Sequence, residues 1–499
     1  MTVREVRVHS TLAGKLVPLE PRVPPRISLF VCGITPYKPS HIGHARTMVF
    51  FDVVARFLSH LGYHVFYLQN VTDVEDKILR QATEEGVDPK LVSERNFTDY
   101  LGEMNALGVR SVNLYARCSD YIPEIIAQIE TLIAKGHAYA SEGDVYYSVG
   151  TFPTYGRLSG QRTEELQPGA RVEINPKKRA PEDFALWKSE RMGPTWESPW
   201  GKGRPGWHIE DTAITVNVLG PSYDIHGGAS ELKFPHHEAE IAQAEAATGQ
   251  SPLARIWMHT GLLNMHGEKM SKSLGNVLPT GEALRIARPD VLRFYFMSAH
   301  YRAPLEFTGP ASFEEAERAY QTLEGTYQRL REAAARLAPS APADRGAEAT
   351  PSWLDQVRHV EKTRVPDLAH DRGDQVTEAM VASLCNDFSI REATASLFAW
   401  SSEVNSRLAA EGDRLTFEEV VALMGPFRFA ENVLGLFSHL GGTGNDTTLS
   451  KLVEMALEAR TRARARKDYA EADRIRDELH AAGIQVEDSG GKVRWTVRP

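Results

Sequence analysis

A histidine pair beside a glycine stands where the chain is predicted to enter a helix. The segment is HIGH, residues 41–44, and it follows a short apolar run that ends in turn-forming residues. The start of a helix presents free N–H groups and a positive dipole end, which suit a polyphosphate. Gly43 lacks a side chain, so a purine can lie flat against the backbone there. His41 and His44, three residues apart, share one helical face and can donate to phosphate oxygens as negative charge builds.

A second segment carries two ammonium groups between small hydroxyls. It is KMSKS, residues 269–273, and its lysines, Lys269 and Lys272, can close over a triphosphate and stabilise its transition state. Each segment alone has an ordinary explanation, because such histidines usually cap or pack a helix and such loops are usually solvated. Together, and in this order, the two segments favour nucleotide chemistry.

A histidine and an acid one helical turn apart form a third feature. His236 and Glu240 lie in PHHEAE, within a predicted helix, so that both side chains point the same way. The spacing suits metal binding, although such pairs are also common as solvated helix partners. Their neighbours His237 and Glu238 point elsewhere on the same helix and are interpreted as structural.

The elements that position these residues alternate between strand and helix. Residues 26–33 form a short β-rich run, and a helical pattern follows from Ser40, the predicted N-cap, to about Leu61. Repeated strand–helix alternation predicts an α/β fold, with a Rossmann-type parallel-sheet catalytic domain. The predicted domains are a catalytic domain of residues 1–114 and 206–306, a connective insertion of residues 115–205, a helical bundle of residues 307–440 with a mobile loop at 338–352, and a small mixed α/β C-terminal module of residues 449–499 after a linker at 441–448.

Composition sets broad limits on the function. The 499 residues are too many for one core, and the net charge of −9 means that any contact with nucleic acid must come from local patches. The three cysteines, Cys32, Cys118 and Cys385, are far apart, which fits a reducing compartment. The N-terminal segment has no apolar core, and no apolar run approaches the ~20 residues of a membrane helix. These features predict a cytoplasmic enzyme with no membrane partner.

HIGH followed by KMSKS is the signature of the class I aminoacyl-tRNA synthetases, and the surrounding sequence resembles the cysteinyl-tRNA synthetase family. The resemblance spans nearly the whole chain. It is carried by FVCGITPY, HIGHAR, YLQNVTDVEDKI, DFALWK, SPWGKGRPGWHIE, FPHHEAEIAQ, EKMSKSLGN and the C-terminal RKDYAEADRIRDEL. Membership implies activation of L-cysteine by ATP, with magnesium, to cysteinyl-adenylate, followed by transfer to the 3′ end of tRNA(Cys). It also implies that His41, Gly43, His44, Lys269 and Lys272 bind ATP, that both histidines and both lysines are catalytic, and that the protein is a monomer.

The resemblance further implies one zinc ion in the amino-acid pocket. The family holds it with two cysteines, a histidine and a glutamate, which correspond here to Cys32, Asp211, His236 and Glu240, so an aspartate replaces one cysteine. Such a site separates cysteine from serine, because zinc binds thiolate strongly and alcohol poorly. Two interpretations of Asp211 remain open: it binds zinc through oxygen, or the zinc is absent and Asp211 faces the substrate amine. We favour the first, since the other three ligands are retained and carboxylate is a legitimate zinc ligand.

The remaining pocket residues surround this position. Trp207 and His208 precede Asp211 and are expected to wall the cysteine side chain. Asn70, Thr72 and Asp73 end the second strand, at the carboxyl edge of the sheet, where they can hold the amine and carboxylate of the substrate. Their alternative role is turn formation.

The C-terminal tail is basic in an otherwise acidic chain. Arg460, Arg464 and Lys467 crowd one short helix, which suggests contact with RNA phosphates, and Trp495 can stack an unpaired base. The alternative is a helix surface balanced by neighbouring acids.

Two other functions stay open. One is a ligase that passes the cysteinyl group to a small amine such as a glucosamine-inositol sugar, since CGITPY resembles that sister group, which lacks the tail. The other is a non-catalytic RNA-binding paralogue.

Overall fold

A computed structural model describes residues 4–161, 175–190, 193–265, 267–270, 277–338, 372–412, 414–441, 446–466, 468–481, 484–489 and 492–497. The chain forms two compact units, residues 1–436 and 437–499. Apart from residue 338, the predicted mobile loop lies outside the described residues. No helix in the described part of the chain is long and apolar enough to cross a membrane.

Five parallel strands form the central sheet of the first unit. Their order across the sheet is β11 (Ala254–Thr260), β10 (Tyr223–Ala229), β3 (Arg26–Ile34), β4 (His64–Val71) and β5 (Leu114–Arg117). An antiparallel hairpin, β1 (Arg7–Ser10) and β2 (Lys15–Pro18), precedes it. The first half of the sheet comprises β3 (Arg26–Ile34), α1 (Ile42–His60), β4 (His64–Val71), α2 (Asp76–Glu85), α3 (Pro89–Ala106) and β5 (Leu114–Arg117). β5 pairs with β4 as far as Arg117, so the central sheet extends past residue 115, the predicted start of the insertion.

The insertion contains α4 (Ile122–Ala134) and a four-stranded antiparallel sheet. Its strands are β6 (Ala138–Ser141), β7 (Asp144–Tyr147), β8 (Phe184–Ser189) and β9 (Gly203–Pro205). The chain then completes the central sheet with α5 (Ile209–Leu219), β10 (Tyr223–Ala229), α6 (His236–Thr248) and β11 (Ala254–Thr260). The strand order reverses between β3 and β10, and ligands of such sheets bind outside the carboxyl ends of the strands at this point.

Short elements lead from the central sheet to a group of helices. They are β12 (Leu263–Met265), β13 (Glu268–Lys269), α7 (Thr280–Ile286), α8 (Pro289–Phe296) and β14 (Leu305–Phe307). The helices that follow, as predicted beyond residue 307, are α9 (Pro310–Leu337), α10 (Arg372–Cys385), α11 (Ile390–Glu411) and α12 (Phe417–Phe429).

A buried ion pair joins α1 and α8. Asp52 of α1 accepts hydrogen bonds from Arg293 Nη2 and from Arg56 Nε, at 2.5 and 2.7 Å. Arg293 also donates to the carbonyl oxygens of Leu107 and Leu434. Burial would raise the pKa of Asp52, but Arg293 and Arg56, with hydrogen bonds from Ser111 and the backbone of Arg110, lower that pKa overall. Because both Asp52 and Arg293 are fully buried, the pair is a structural link and not a surface contact.

The second unit contains a helix pair and a hairpin. These are α13 (Asp446–Ala465), α14 (Tyr469–Ala481), β15 (Ile484–Ser489) and β16 (Lys492–Val497). Since α13 begins at Asp446, the last residues of the predicted linker at 441–448 are helical. Val453, Ile475, Leu479 and Ile484 form the core of this unit.

Candidate functional site

The four side chains expected to bind a metal meet in one buried cluster. Cys32 lies near the carboxyl end of β3, Asp211 in the first turn of α5, and His236 and Glu240 one turn apart on α6. Nε2 of His236 lies 2.9 Å from Oδ2 of Asp211, 3.1 Å from Oε1 of Glu240 and 3.5 Å from Sγ of Cys32. Sγ of Cys32 lies 3.6 Å from Oδ2 of Asp211. None of these four residues is more than 7% exposed.

The cluster carries more acid than its protein partners balance. Burial raises the pKa of the Cys32 thiol, and the carboxylates of Asp211, Glu240 and Glu210 raise it further. Burial also raises the pKa of Glu240, with Asp211 and Glu210 adding to the effect. Among the ion pairs of the described residues, these acids have only histidine partners. A bound cation would supply the missing positive charge, since buried charges are otherwise costly.

The hydrogen bonds of the cluster are also incomplete. Both carboxylate oxygens of Glu240 are buried, and no hydrogen bond reaches them from the described residues. Nε2 of His236 can carry one proton, yet three acidic groups, on Cys32, Asp211 and Glu240, lie close to it. One imidazole nitrogen that faces a sulfur and two carboxylates is the arrangement of a zinc site, because nitrogen, sulfur and oxygen donors all bind zinc. The residues present therefore fit that metal.

Partners outside the cluster orient His236. Its Nδ1 lies 2.8 Å from Nδ1 of His208, and Trp207 stacks on its ring at a centroid distance of 4.4 Å. Burial lowers the pKa of His208 well below its usual range, with His236 and Lys188 adding to the effect. His208 is therefore neutral at neutral pH, and its Nδ1 can accept a hydrogen bond from the Nδ1–H group of His236. That bond leaves Nε2 of His236 for the cluster, as is usual for histidines that bind metals. Trp207 and His208 thus lie beside the cluster.

Thr72 and Asp73 have different hydrogen-bond partners. Thr72 is buried and donates to Oε1 of Glu210 at 2.7 Å, next to the cluster. Asp73 accepts hydrogen bonds from the backbone N and the hydroxyl of Ser119, at 3.0 and 2.6 Å, which is a contact with a distant part of the sequence. Sequence reasoning missed Glu210. The signal was the acid directly before Asp211 in HIED, because two adjacent carboxylates at a buried helix start are unusual.

The histidine pair lies at the start of α1, beside this edge of the sheet. His41 is the N-cap and His44 the third helical residue, and Nδ1 of each ring faces the backbone N of the other residue. The rings stack with centroids 3.7 Å apart. The prediction of Ser40 as the N-cap was wrong, because the Ser40 hydroxyl contacts Glu103 and Thr280 instead. The pair therefore caps its helix and still stands at a dipole end suited to phosphate.

Glycine at position 43 leaves the space that the histidine pair occupies. A Cβ there would lie 3.0 Å from Nδ1 of His41, closer than side chains normally pack. The backbone at the start of α1 also holds the segment that follows the second signature, because Ile42 N donates to Leu278 O and Thr280 N donates to Ser40 O. Residues 269–273 are described only in part. Lys269 lies in β13, with its side chain outside the described residues, and Lys272 lies wholly outside them.

The basic tail divides into buried and exposed residues. Arg460 is only 3% exposed, on the face of α13 that also carries Val453 and Ala463, so this side chain is not available for the phosphate contact that we expected. The residues lie three and seven positions apart, which places them on one helical face. Arg464 is exposed. Lys467 lies outside the described residues, and Trp495 lies in β16 opposite Val486, with its side chain outside them.

Comparison with solved structures defines the class of the fold. Over 82% of its length the chain matches 89% of a methionyl-tRNA synthetase from Mycobacterium tuberculosis in complex with methionyl-adenylate, at 15% identity and a TM-score of 0.55. It matches an Agrobacterium radiobacter LeuRS in a ternary complex with a TM-score of 0.57, at 12% identity, over 84% of this chain and 85% of that one. The fold and the two signature segments are those of a class I aminoacyl-tRNA synthetase.

Sequence comparison narrows the class to one family. Residues 18–317 match the family described as tRNA synthetases class I (C) catalytic domain, and residues 446–495 match the cysteinyl-tRNA ligase anticodon binding domain. The chain is 40% identical to a cysteine–tRNA ligase from Pelotomaculum thermopropionicum and 41% identical to one from Heliobacterium modesticaldum, each over 98% of this chain and 99% of the relative. The chain belongs to the cysteine–tRNA ligase family, whose members are class I synthetases.

Proposed function

We propose that this chain uses ATP, bound with magnesium, to convert L-cysteine to cysteinyl-adenylate, and passes the cysteinyl group to the 3′ end of tRNA(Cys). One observation carries the proposal. The donors of Cys32, Asp211, His236 and Glu240 lie together at the carboxyl edge of the sheet, in the same unit as the helix that begins at HIGH. An α/β sheet binds its ligands at this edge, so the amino acid and the nucleotide share one cleft.

Zinc is the metal that we assign to the cluster. Cys32 Sγ, Asp211 Oδ2, His236 Nε2 and one oxygen of Glu240 would hold it, with Asp211 taking the place of the family's second cysteine. When bound, zinc supplies a Lewis acid that accepts a thiolate far more readily than an alcohol, which gives a basis for choosing cysteine over serine. Trp207, packed on His236, and His208, hydrogen-bonded to it, close one side of the pocket and hold the imidazole in place.

The nucleotide end of the cleft carries out the activation. We assign ATP to His41, Gly43, His44, Lys269 and Lys272. The carboxylate of cysteine attacks the α-phosphorus of ATP, a new C–O–P bond forms, and pyrophosphate leaves with the electrons of the broken bond. Negative charge grows on the phosphate oxygens during this step. The imidazoles of the histidine pair, the start of α1 and the two ammonium groups are suited to stabilise that charge.

The polar residues after β4 complete the pocket. Thr72 lies next to the cluster through its bond to Glu210, and we place it and Asp73 near the amine and carboxylate of the substrate. Asp73 does this while it holds the turn at Ser119. Both residues therefore act from the carboxyl end of one strand, where their backbone is fixed by the sheet.

The transfer step requires tRNA, and the second unit is where we expect the anticodon to bind. Arg464, Lys467 and Trp495 are the residues that we assign to it, and the buried Arg460 is no longer among them. A small-amine ligase, the main alternative, has no need of an anticodon-binding domain, and a non-catalytic paralogue has no need of two intact signatures. We further propose that the protein works as a monomer in the cytoplasm.

Two assays test the function. Cysteine-dependent exchange of pyrophosphate into ATP is expected, with serine giving a far lower rate, and charging of a tRNA(Cys) transcript is expected at similar enzyme concentrations. A chain that exchanges pyrophosphate but charges only a glucosamine-inositol acceptor is the sugar ligase. A chain that does neither is the non-catalytic paralogue.

A further inference from the structure

Asn70 contacts Asp211, the cluster residue that the resemblance places at the position of a family cysteine. Its amide nitrogen Nδ2 donates to Oδ1 of Asp211, across 141 residues of sequence. The other oxygen of Asp211, Oδ2, faces His236 and Cys32. Asn70 is 2% exposed and Asp211 0%, so bulk water does not compete for this bond. The two oxygens of Asp211 therefore have different partners: one faces the cluster and one faces an amide.

We propose that Asn70 is a positioning residue that makes Asp211 a one-oxygen donor to the cation, an inference that rests on the metal assignment in the proposed function. A thiolate has a single donor atom, whereas a carboxylate has two. Replacing cysteine by aspartate therefore brings one surplus oxygen into a site that must keep a position for the substrate's sulfur. The amide of Asn70 takes up that surplus oxygen. Asp211 is left with one donor, as many as the cysteine that it replaces.

The orientation of the Asn70 amide is determined by its other partners. Its Oδ1 accepts from the backbone N of Gly33 at 2.6 Å, which requires an oxygen there and not an NH₂ group. The second hydrogen on Nδ2 points to Oγ1 of Thr72 at 3.3 Å, and Thr72 in turn donates to Glu210. Turning the amide over would place its oxygen against the Asp211 carboxylate and its NH₂ against an N–H group. Only one orientation satisfies every neighbour.

The position of Asn70 is equally constrained. Gly33 lies so close to β4 that a Cβ on it would come within 2.0 Å of the Asn70 carbonyl oxygen, so the two backbones are in direct contact. Cys32, next to Gly33, is itself a member of the cluster. Asn70 thus connects the strand that carries Cys32 with the helix that carries Asp211, and it holds the carboxylate at a set distance from the thiol.

A purely structural role is the competing explanation, because loss of Asn70 also removes the bond to Gly33. A double-mutant cycle separates the two explanations. The proteins are the wild type, Asn70→Ala, Asp211→Cys and the double variant, and the measurement is zinc affinity by competition with a chelator. The loss of the Gly33 bond is common to both backgrounds and cancels. The interaction with the second carboxylate oxygen exists only where position 211 is aspartate.

We expect Asn70→Ala to weaken zinc binding by about 10-fold to 100-fold in the wild-type background, the usual effect of removing a partner of a metal ligand. In the Asp211→Cys background the same substitution should change zinc affinity by less than about 3-fold, because the introduced thiolate has no second oxygen to be held. Cobalt-substituted protein gives an independent signal. Its visible absorption should change with Asn70→Ala in the wild-type background, since the carboxylate then gains a second contact.

Three results would overturn the inference. Equal losses of zinc affinity in the two backgrounds would mean that Asn70 acts through Gly33 alone. Unchanged affinity in both would mean that it positions nothing. A wild-type protein that binds no zinc would remove the premise together with the metal assignment. Charging of tRNA(Cys), measured on the same four proteins, reports on the ligase function separately, so its failure is distinguishable from the failure of this inference.

Discussion

Nε2 of His236 and Oδ2 of Asp211 lie 2.9 Å apart, and both residues are fully buried. The resemblance to the cysteinyl-tRNA synthetase family implies that this aspartate takes the position of one of the family's two cysteine ligands. A carboxylate is a harder donor than a thiolate, so this substitution changes the chemistry of the cluster without changing its formal charge.

Replacement of Asp211 should affect cysteine more than ATP. We expect Asp211→Ala to lower kcat/KM for cysteine in pyrophosphate exchange by at least about 10-fold, because a metal ligand is lost, while KM for ATP changes little. Asp211→Cys should keep kcat/KM for cysteine within about 10-fold of the wild-type value. The measurement is exchange at varied cysteine and varied ATP. An alanine variant with unchanged cysteine kinetics would show that Asp211 takes no part in substrate selection.

The lysines of the second signature should act on the chemical step. Lys272→Ala is expected to lower kcat for pyrophosphate exchange by about 10²- to 10³-fold, the usual effect of removing one group that stabilises a charged transition state. KM for cysteine should stay near its wild-type value. Lys90→Ala, which changes an exposed lysine at the start of α3, is the matched control and should leave kcat unchanged. Equal effects of the two substitutions would contradict the assignment.

Asp52 should make stability depend on pH in the acid range. Its pKa is lowered in the folded protein, so its contribution is fully present above the usual value of 3.8 and is lost as the pH falls from there through the lowered pKa. Asp52→Asn should lower the free energy of unfolding by about 3 kcal/mol at pH 7, because the buried Arg293 loses its partner charge. Urea unfolding at pH 7 and at pH 3 measures this, and the difference from wild type should shrink at the lower pH. A difference that stays constant would contradict the account.

Arg464 and Arg474 offer a matched pair for tRNA binding. Both arginines are exposed, Arg464 on α13 and Arg474 on α14, where Arg474 forms ion pairs with Glu471 and Glu478. We expect Arg464→Ala to weaken tRNA(Cys) binding and to reduce the slope of log affinity against log salt concentration by about one. Arg474→Ala should change neither quantity. Filter binding over a range of salt concentrations measures both quantities. Pyrophosphate exchange should be unchanged in each variant, and equal effects of the two on tRNA would remove Arg464 from the interface.

Much of the fold was predictable from local patterns. The strand at residues 26–33, the helix that follows it and the second strand all appear with boundaries shifted by at most a few residues. The spacing of His236 and Glu240 on one helical face also predicted their meeting, because a helix brings positions four apart together. The error at the N-cap arose because serine is the commoner cap, while His41 and His44 cap each other through their rings.

Other features depend on tertiary contacts that no local pattern reveals. The bond between Asn70 and Asp211 requires that β4 lies next to β3 and that α5 starts over the same edge of the sheet. Arg460 was misjudged because a run of basic residues was counted along the sequence, although its helical phase matches the buried Val453 and Ala463. Charge alone does not indicate which face of a helix is covered.

Metal content of the purified wild-type protein, measured by elemental analysis beside that of Asp211→Ala, tests the central claim most directly. The account predicts about one zinc per chain in the wild type, and a clear loss of zinc in the variant after dialysis. A wild-type protein that carries no zinc and still activates cysteine in preference to serine would contradict it.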